Sequence, residues 1–153
     1  MALKHAYLRQ VGGTTFAVRG DSRHWVMMDT AESAGGIDAA PRPKELVLFA
    51  LGGCTSVDVV NILKKMHAPV RGFAMDIAGE ERDEHPRIFT SIHIEYIFYG
   101  DGINPEHVER AIELSTSKYC AVSAMLSPTV KITHSYRIEP SAAMVPEAAV
   151  APD

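Results

Sequence analysis

The chain has 153 residues, which by length is one domain with room for a short tail. Hydrophobic residues make up 46% and charged residues 22%, close to the globular average, so disorder, collagen and coiled coil are excluded as whole-chain readings. With 15 Lys+Arg against 19 Asp+Glu the net charge is −4, without the basic surplus that phosphate-backbone binding needs, and no nucleic-acid partner is expected.

The first 30 residues predict three short strands, His5–Val11, Thr14–Arg19 and His24–Asp29, split by Gly12-Gly13 and by Gly20-Asp21-Ser22. A loop rich in Gly, Ala, Ser and Asp follows, and Pro41 and Pro43 lead into a long helical segment, Lys44–Met66. A helix of that length spans about 34 Å. Its early part, Leu46–Leu51, is apolar on every side, and such a surface must be covered all round. One small α+β domain has little material for that, so a second subunit is the expected cover. No apolar run reaches the roughly 18 residues of a bilayer span, since this one stops at Gly52. The N-terminus, Met-Ala-Leu-Lys-His, has no signal-peptide apolar region, so the expectation is a cytoplasmic protein with no membrane partner.

Phe73–Glu80 alternates between apolar and polar positions, and Ile88–Phe98 is a longer strand with Ile88, Ile92, Ile94, Tyr96 and Phe98 in phase. Asn104-Pro105 starts a helix with an N-cap followed by Pro at the first helical position. Ser117 is a candidate cap for a short helix, Lys118–Leu126, that ends before Pro128. Thr129–Ile138 is the cleanest alternating strand. The order β-β-β-α-β-β-α-α-β is α+β rather than repeated βαβ. Residues 1–139 are expected to form the folded body, and 140–153, rich in Ala and Pro, a loose tail.

Only two cysteines are present, Cys54 and Cys120, 66 positions apart. Two thiols in a reducing compartment are either core residues or a redox pair. Cys54 follows Gly52-Gly53 inside the long helix. It reads either as a small packed residue or as a thiol at a place where paired glycines admit another backbone and loosen the helix. Cys120 falls in the first turn of the predicted Lys118–Leu126 helix, where the terminal field lowers a thiol pKa, so on physics alone it is the more reactive of the two. Its alternative is again core packing.

Glu45 reads as a helix-start carboxylate. Nine positions separate it from Cys54, which on a straight helix puts the two on opposite faces. Glu45 can therefore serve Cys54 only through a bend or from a second copy of the chain. Arg9 and Arg19 lie on the N-terminal strands, and Arg82 and Arg87 flank a charged turn. All four are compatible with plain solvated faces. The seven His residues show no ligand spacing, so no metal is expected, and the absence of nucleotide-binding motifs gives no cofactor.

Two segments carry a resemblance. Pro-Arg-Pro-Lys-Glu-Leu-Val-Leu-Phe-Ala-Leu-Gly-Gly-Cys-Thr-Ser-Val-Asp-Val-Val (41–60) and Ser-Thr-Ser-Lys-Tyr-Cys-Ala-Val-Ser-Ala-Met-Leu (115–126) resemble the two cysteine segments of the OsmC/Ohr family, named for osmotically inducible protein C and organic hydroperoxide resistance protein. Residues 80–92 and 130–136 look like its YhfA-like branch. The resemblance implies an intertwined homodimer with two long central helices wrapped by antiparallel sheets. It also implies a thiol-dependent peroxidase that reduces a small organic hydroperoxide. In that reading Cys54 is the peroxidatic thiol, Cys120 resolves it as a disulfide, Glu45 and an arginine support the thiolate, and a dithiol reductant regenerates the pair. Arg19 is the nearest arginine by position, ahead of Arg9, Arg82 and Arg87. The spacing from Glu45 to Cys54 departs by one residue from that of the peroxidase branches. The alternative is a non-catalytic, stress-associated dimer that binds a small apolar ligand, with both cysteines in the core.

Overall fold

A computed structural model describes residues 1–144. The chain divides into two compact units, Met1–Phe49 and Ala50–Asp153, with the boundary inside the long helix.

In the first unit, β1 (Ala6–Gly12), β2 (Thr15–Gly20) and β3 (Trp25–Met28) form an antiparallel sheet in the order β1-β2-β3. Gly13 makes the β1–β2 turn at a φ of 53°, a backbone conformation that disfavours other residues. Ala17 of β2 is buried, whereas every residue of β1 is exposed. The loop after β3 is organised by Asp29, which is 1% exposed. Its carboxylate accepts from the Thr14 hydroxyl (2.7 Å) and from the backbone amides of Thr30 (2.8 Å), Ile37 (3.2 Å) and Ala39 (3.1 Å). The Thr14 hydroxyl and the amides of Ala39, Thr30 and Ile37 hold this carboxyl far below the usual carboxylate range, against the opposing effect of burial.

The long helix, α1, is Glu45–Lys65, with Glu45 in its first turn and Lys64 and Lys65 in its last, the charge order that the helix dipole favours. Its end is a Schellman motif. The His67 amide donates to Lys64 O and the Ala68 amide to Leu63 O, with His67 in the left-handed region at φ 54°. Leu51, Thr55, Val59 and Leu63, each one turn from the next, are buried. Phe49, Val57 and Val60 remain 56%, 61% and 44% exposed on another face. Within Leu46–Leu51, the stretch expected from the sequence to need cover all round, Leu51 is buried, Leu46, Val47 and Leu48 are half-buried, and Phe49 and Ala50 are exposed. The 18-residue window of α1 also reaches a mean hydropathy of 1.9, the composition of a membrane-crossing helix, with 28% of it buried. Counting uninterrupted runs missed this, because Gly52, Gly53, Thr55 and Ser56 break the run yet are only weakly polar, and the Val, Ile and Leu residues around them keep the average high.

In the second unit, β4 (Gly72–Glu81) pairs antiparallel with β5 (Phe89–Tyr99), and β5 pairs parallel with β6 (Lys131–Glu139). The crossover holds α2 (Pro105–Leu114), a π-helical turn at Ser115–Tyr119 and α3 (Ala121–Leu126). Asn104 caps α2 as expected, its side-chain oxygen accepting from the Glu106 amide at 3.0 Å. Ile92, Ile94, Tyr96 and Phe98 of the central strand are fully buried. Ile88 precedes the strand and is 44% exposed. Gly52 lets α1 approach β4, since a Cβ there would meet Ile77 Cδ1 at 2.5 Å. Pro140 to Met144, expected as the start of a loose tail, instead includes a 3₁₀ turn, Ser141–Ala143. The Ser141 amide donates to Asp101 (3.3 Å), and Met144 packs over Gly72. The rest of the expected tail, 145–153, lies outside the described residues.

Candidate functional site

α1 carries Cys54 on its middle turn, half-buried, and carries Asp58 one turn later. No break occurs at Gly52-Gly53, so the helix is not loosened there. Gly52 serves close packing, and among the described residues nothing stands within 4 Å of where a Gly53 side chain would begin. Cys120 arrives by a different route. The expected Lys118–Leu126 helix is two pieces, the π turn and then α3, and Cys120 is the N-cap of α3 rather than a first-turn residue. The wider π turn accounts for the error, because it keeps residues 115–119 helical without continuing the α register.

The two sulfurs and one carboxylate oxygen of Asp58 all lie within 4.8 Å of one another. Both thiols are free, and Cys120 is 3% exposed. The Ser123 amide donates to Cys120 Sγ (3.4 Å), and the Thr55 hydroxyl lies 3.4 Å from the same sulfur. That hydroxyl also donates to Leu51 O (2.8 Å), so its single proton serves one partner or the other. The buried Ser123 hydroxyl lies near the Cys120 sulfur and has no hydrogen-bond partner among the described residues. Backbone amides of Val122 and Ala121 face Cys54.

These surroundings separate the thiols. Burial pushes the Cys54 thiol up, against the Val122 and Ala121 amides, and the neighbouring Cys120 pushes it further the same way. Burial also acts on Cys120, but the Ser123 and Thr55 hydroxyls, the Ser123 amide and Cys54 outweigh it and bring that thiol below its ordinary value. The sequence leads one to expect a lowered Cys120 thiol from the helix-terminal field and Lys118; the groups that lower it here are the Ser123 and Thr55 hydroxyls, the Ser123 amide and Cys54. Access ranks the pair the other way, with Cys54 the one a solute can reach.

The remaining candidates belong to the first unit or to the charged turn. Glu45 holds Arg42. Its carboxylate accepts from the Arg42 amide (2.9 Å) and from the Arg42 guanidinium (3.3 Å), which also reaches Asp38 (3.1 Å). Arg19 lies over the rings of Trp25 (5.0 Å) and Tyr7 (5.8 Å), and Arg9 over Trp25 (5.2 Å). Arg82 Nε donates to Pro86 O at 2.6 Å, within the same turn as Arg87. The sequence reading missed Asp58 and Arg42. Asp58 was legible as the residue four after Cys54 on a helix, and Arg42 as the residue three before Glu45, the spacing of a helix-start box.

Comparison with known proteins places this geometry. Protein YhfA of Escherichia coli (strain K12) is 41% identical over 133 residues, 87% of this chain and 96% of that protein. The crystal structure of a hypothetical protein from Aquifex aeolicus VF5 superposes with a TM-score of 0.76 at 31% identity, over 91% of this chain and 99% of that one. An organic hydroperoxide resistance protein from Elizabethkingia anophelis, crystallised with thiocyanate bound, shares the fold at a TM-score of 0.63 and 16% identity, over 90% of this chain and 98% of that one. The sequence profile described as OsmC-like protein matches residues 35–135, which include both cysteine segments. The chain belongs to the OsmC-like protein family.

Proposed function

We propose that the protein is a thiol-dependent peroxidase for small organic hydroperoxides, acting in oxidative-stress defence in the cytoplasm. The observation that carries this reading is the convergence of the two sulfurs, the accessible Cys54 and the buried Cys120, within 4.8 Å. The Cys54 thiolate attacks the peroxide, and with one proton gives a sulfenic acid and the alcohol. Cys120 then attacks the sulfenic sulfur, forming the disulfide and releasing water. A dithiol reductant restores both thiols. The lowered pKa of Cys120 suits the second step and also makes it the better leaving group when the disulfide is reduced.

Cys54 needs help for the first step, because burial and then the neighbouring Cys120 disfavour its thiolate. The proposal assigns that help to Glu45 and Arg19, as the family resemblance implies. Arg42, already held by Glu45, is a further cation to test. A homodimer completes the reading. The exposed Phe49, Val57 and Val60 of α1, with open space at Gly53 between them, suit close packing against a second copy.

The test is a count of free thiols after excess cumene hydroperoxide is added to the reduced protein. Loss of both thiols in the wild type, with Cys54→Ser consuming no peroxide, is the expected result. Two thiols remaining would end the peroxidase reading. A second reading, non-catalytic binding of a small apolar ligand, is favoured by a separate cavity of about 350 Å³ lined by Val60, Leu63, Phe73 and Phe98, with Lys64 and Arg71 also on its wall.

A further inference from the structure

The peroxidase reading leaves Asp58 without a task, and its position works against that chemistry. A carboxylate near a thiol disfavours the thiolate, as burial already does at Cys54. The placement has another consequence. Cys54 and Asp58 are one turn apart on α1, so their side chains leave the helix on one face. Cys120 comes to them from the π turn on a separate segment. The Asp58 carboxylate is itself oriented, since Oδ2 accepts from the fully buried Ser115 hydroxyl at 3.1 Å.

We propose that the reduced Cys54–Cys120 pair and Asp58 form a three-ligand site for a thiophilic divalent cation, represented by Zn²⁺, with water in the fourth position. Two thiolates and a carboxylate carry three negative charges together, of which a divalent cation offsets two. Zn–S bonds of about 2.3 Å and Zn–O bonds of about 2.0–2.2 Å put tetrahedral ligand atoms roughly 3.5–3.8 Å apart. The three atoms here need to draw in by about 1 Å from their 4.8 Å limit, which side-chain rotation supplies. Sulfur ligands select against Mg²⁺ and Ca²⁺, which take oxygen. The outer partners are in place. Ser115 fixes Asp58, while the Ser123 amide donates to the Cys120 sulfur.

Binding displaces the two thiol protons and changes no oxidation state. A sulfur that holds the ion is not a free nucleophile, and a disulfide offers no thiolate. Metal-bound and oxidised forms therefore exclude one another. The site stands on its own geometry and does not require the peroxidase reading.

The test uses the reduced full-length protein, without peroxide, titrated with Zn²⁺ against a chromophoric chelator and separately with Co²⁺. The expected result is one ion per chain, with a thiolate-to-cobalt charge-transfer band and the visible bands of tetrahedral Co²⁺. Cys54→Ser should weaken that band and lower affinity at least tenfold, and Cys120→Ser should do the same. Asp58→Asn should keep the band and lose roughly tenfold or more in affinity. Disulfide formation with diamide should abolish binding. The proposal is overturned if the reduced protein binds no Zn²⁺ at micromolar concentration. It is equally overturned if Cys54→Ser binds as the wild type does, which would place the ion on surface histidines, or if Asp58→Asn retains full affinity. Circular dichroism checks that each variant is folded, and the two cysteine variants decide the outcome if Asp58→Asn is not. Failure here leaves the thiol count with peroxide unchanged, so the two readings fail separately.

Discussion

The two three-stranded sheets differ in how their apolar residues are treated. The central strand of the second sheet buries Ile92, Ile94, Tyr96 and Phe98 completely. The first sheet leaves Tyr7, Leu8, Val11, Trp25 and Val26 between 44% and 59% exposed, and all seven residues of β1 are open. Helices account for part of the contrast, since the second unit contributes Val59, Leu63, Val108 and Ala111 to its own core. The first unit is held instead by polar organisation, with Asp29 gathering the loop that leads to α1. The central strand of the second sheet is covered by its own chain, and the first sheet presents an apolar surface of the kind that marks an interaction site.

The sharpest way to break that comparison is to cut into each sheet at matched chemistry. Ile94→Ala removes a fully buried side chain and should cost about 2–5 kcal/mol, read as a lowered midpoint in urea with little change in slope. A cost below 1 kcal/mol would mean that the second core is loosely packed.

Asp29→Asn tests the polar half of the contrast. The carboxylate is held far below its ordinary pKa, so its contribution is present above the unfolded value of about 3.9 and is lost as pH falls toward the folded value. The variant should melt below the wild type at pH 7, and the gap should close progressively below about pH 4. A gap that persists unchanged into acid would assign the loss to packing rather than charge.

Leu8→Ala sharpens the comparison from the exposed side. In an isolated chain, a surface substitution at a residue 50% exposed should stay within about 0.5 kcal/mol. If a second copy also covers β1, the loss should instead depend on protein concentration, with the variant's melting temperature rising more steeply on concentration than the wild type's. Sedimentation of the same samples separates the cases, because a small, concentration-independent loss from a stable monomer would remove this face from the dimer.

Much of the fold was legible because period and punctuation agreed. Asn104-Pro105 marked the start of α2, and alternation from Ile92 to Phe98 marked the buried face of β5. The site was legible only as far as each residue's chemistry is local. Cys120 was rightly placed at the start of a helix, but the π turn before it has no simple period, so its position came out three residues too deep. Asp58 was overlooked because its spacing from Cys54 matters only once Cys120 is brought beside them, a pairing across 66 positions that neither periodicity nor turn chemistry encodes. Arg42 and Glu45 illustrate the converse. Their bond is local, and was missed because Glu45 was read for the dipole rather than for its neighbours.

The smallest expected effect concerns the C-terminal end of the second unit. Composition there suggested a segment without consequence, yet the Ser141 amide bonds to Asp101 and Met144 sits where a Gly72 side chain would be. The hydrogen bond is exposed and Met144 is 46% exposed, so each contact is worth little, of the order of 1 kcal/mol together. Ending the chain at Pro140 should therefore lower the melting temperature by a few degrees and leave thiol reactivity unchanged. Met144→Ala in the full chain should reproduce most of that drop, because it removes the apolar contact and keeps the turn. Gly72→Ala approaches the same contact from beneath, and by displacing Met144 should cost no more in the truncated chain than space at the strand edge requires. If truncation has no effect while Gly72→Ala destabilises both chains equally, the glycine is answering to Tyr99 beside it rather than to Met144, and the turn rests on the second unit without holding it.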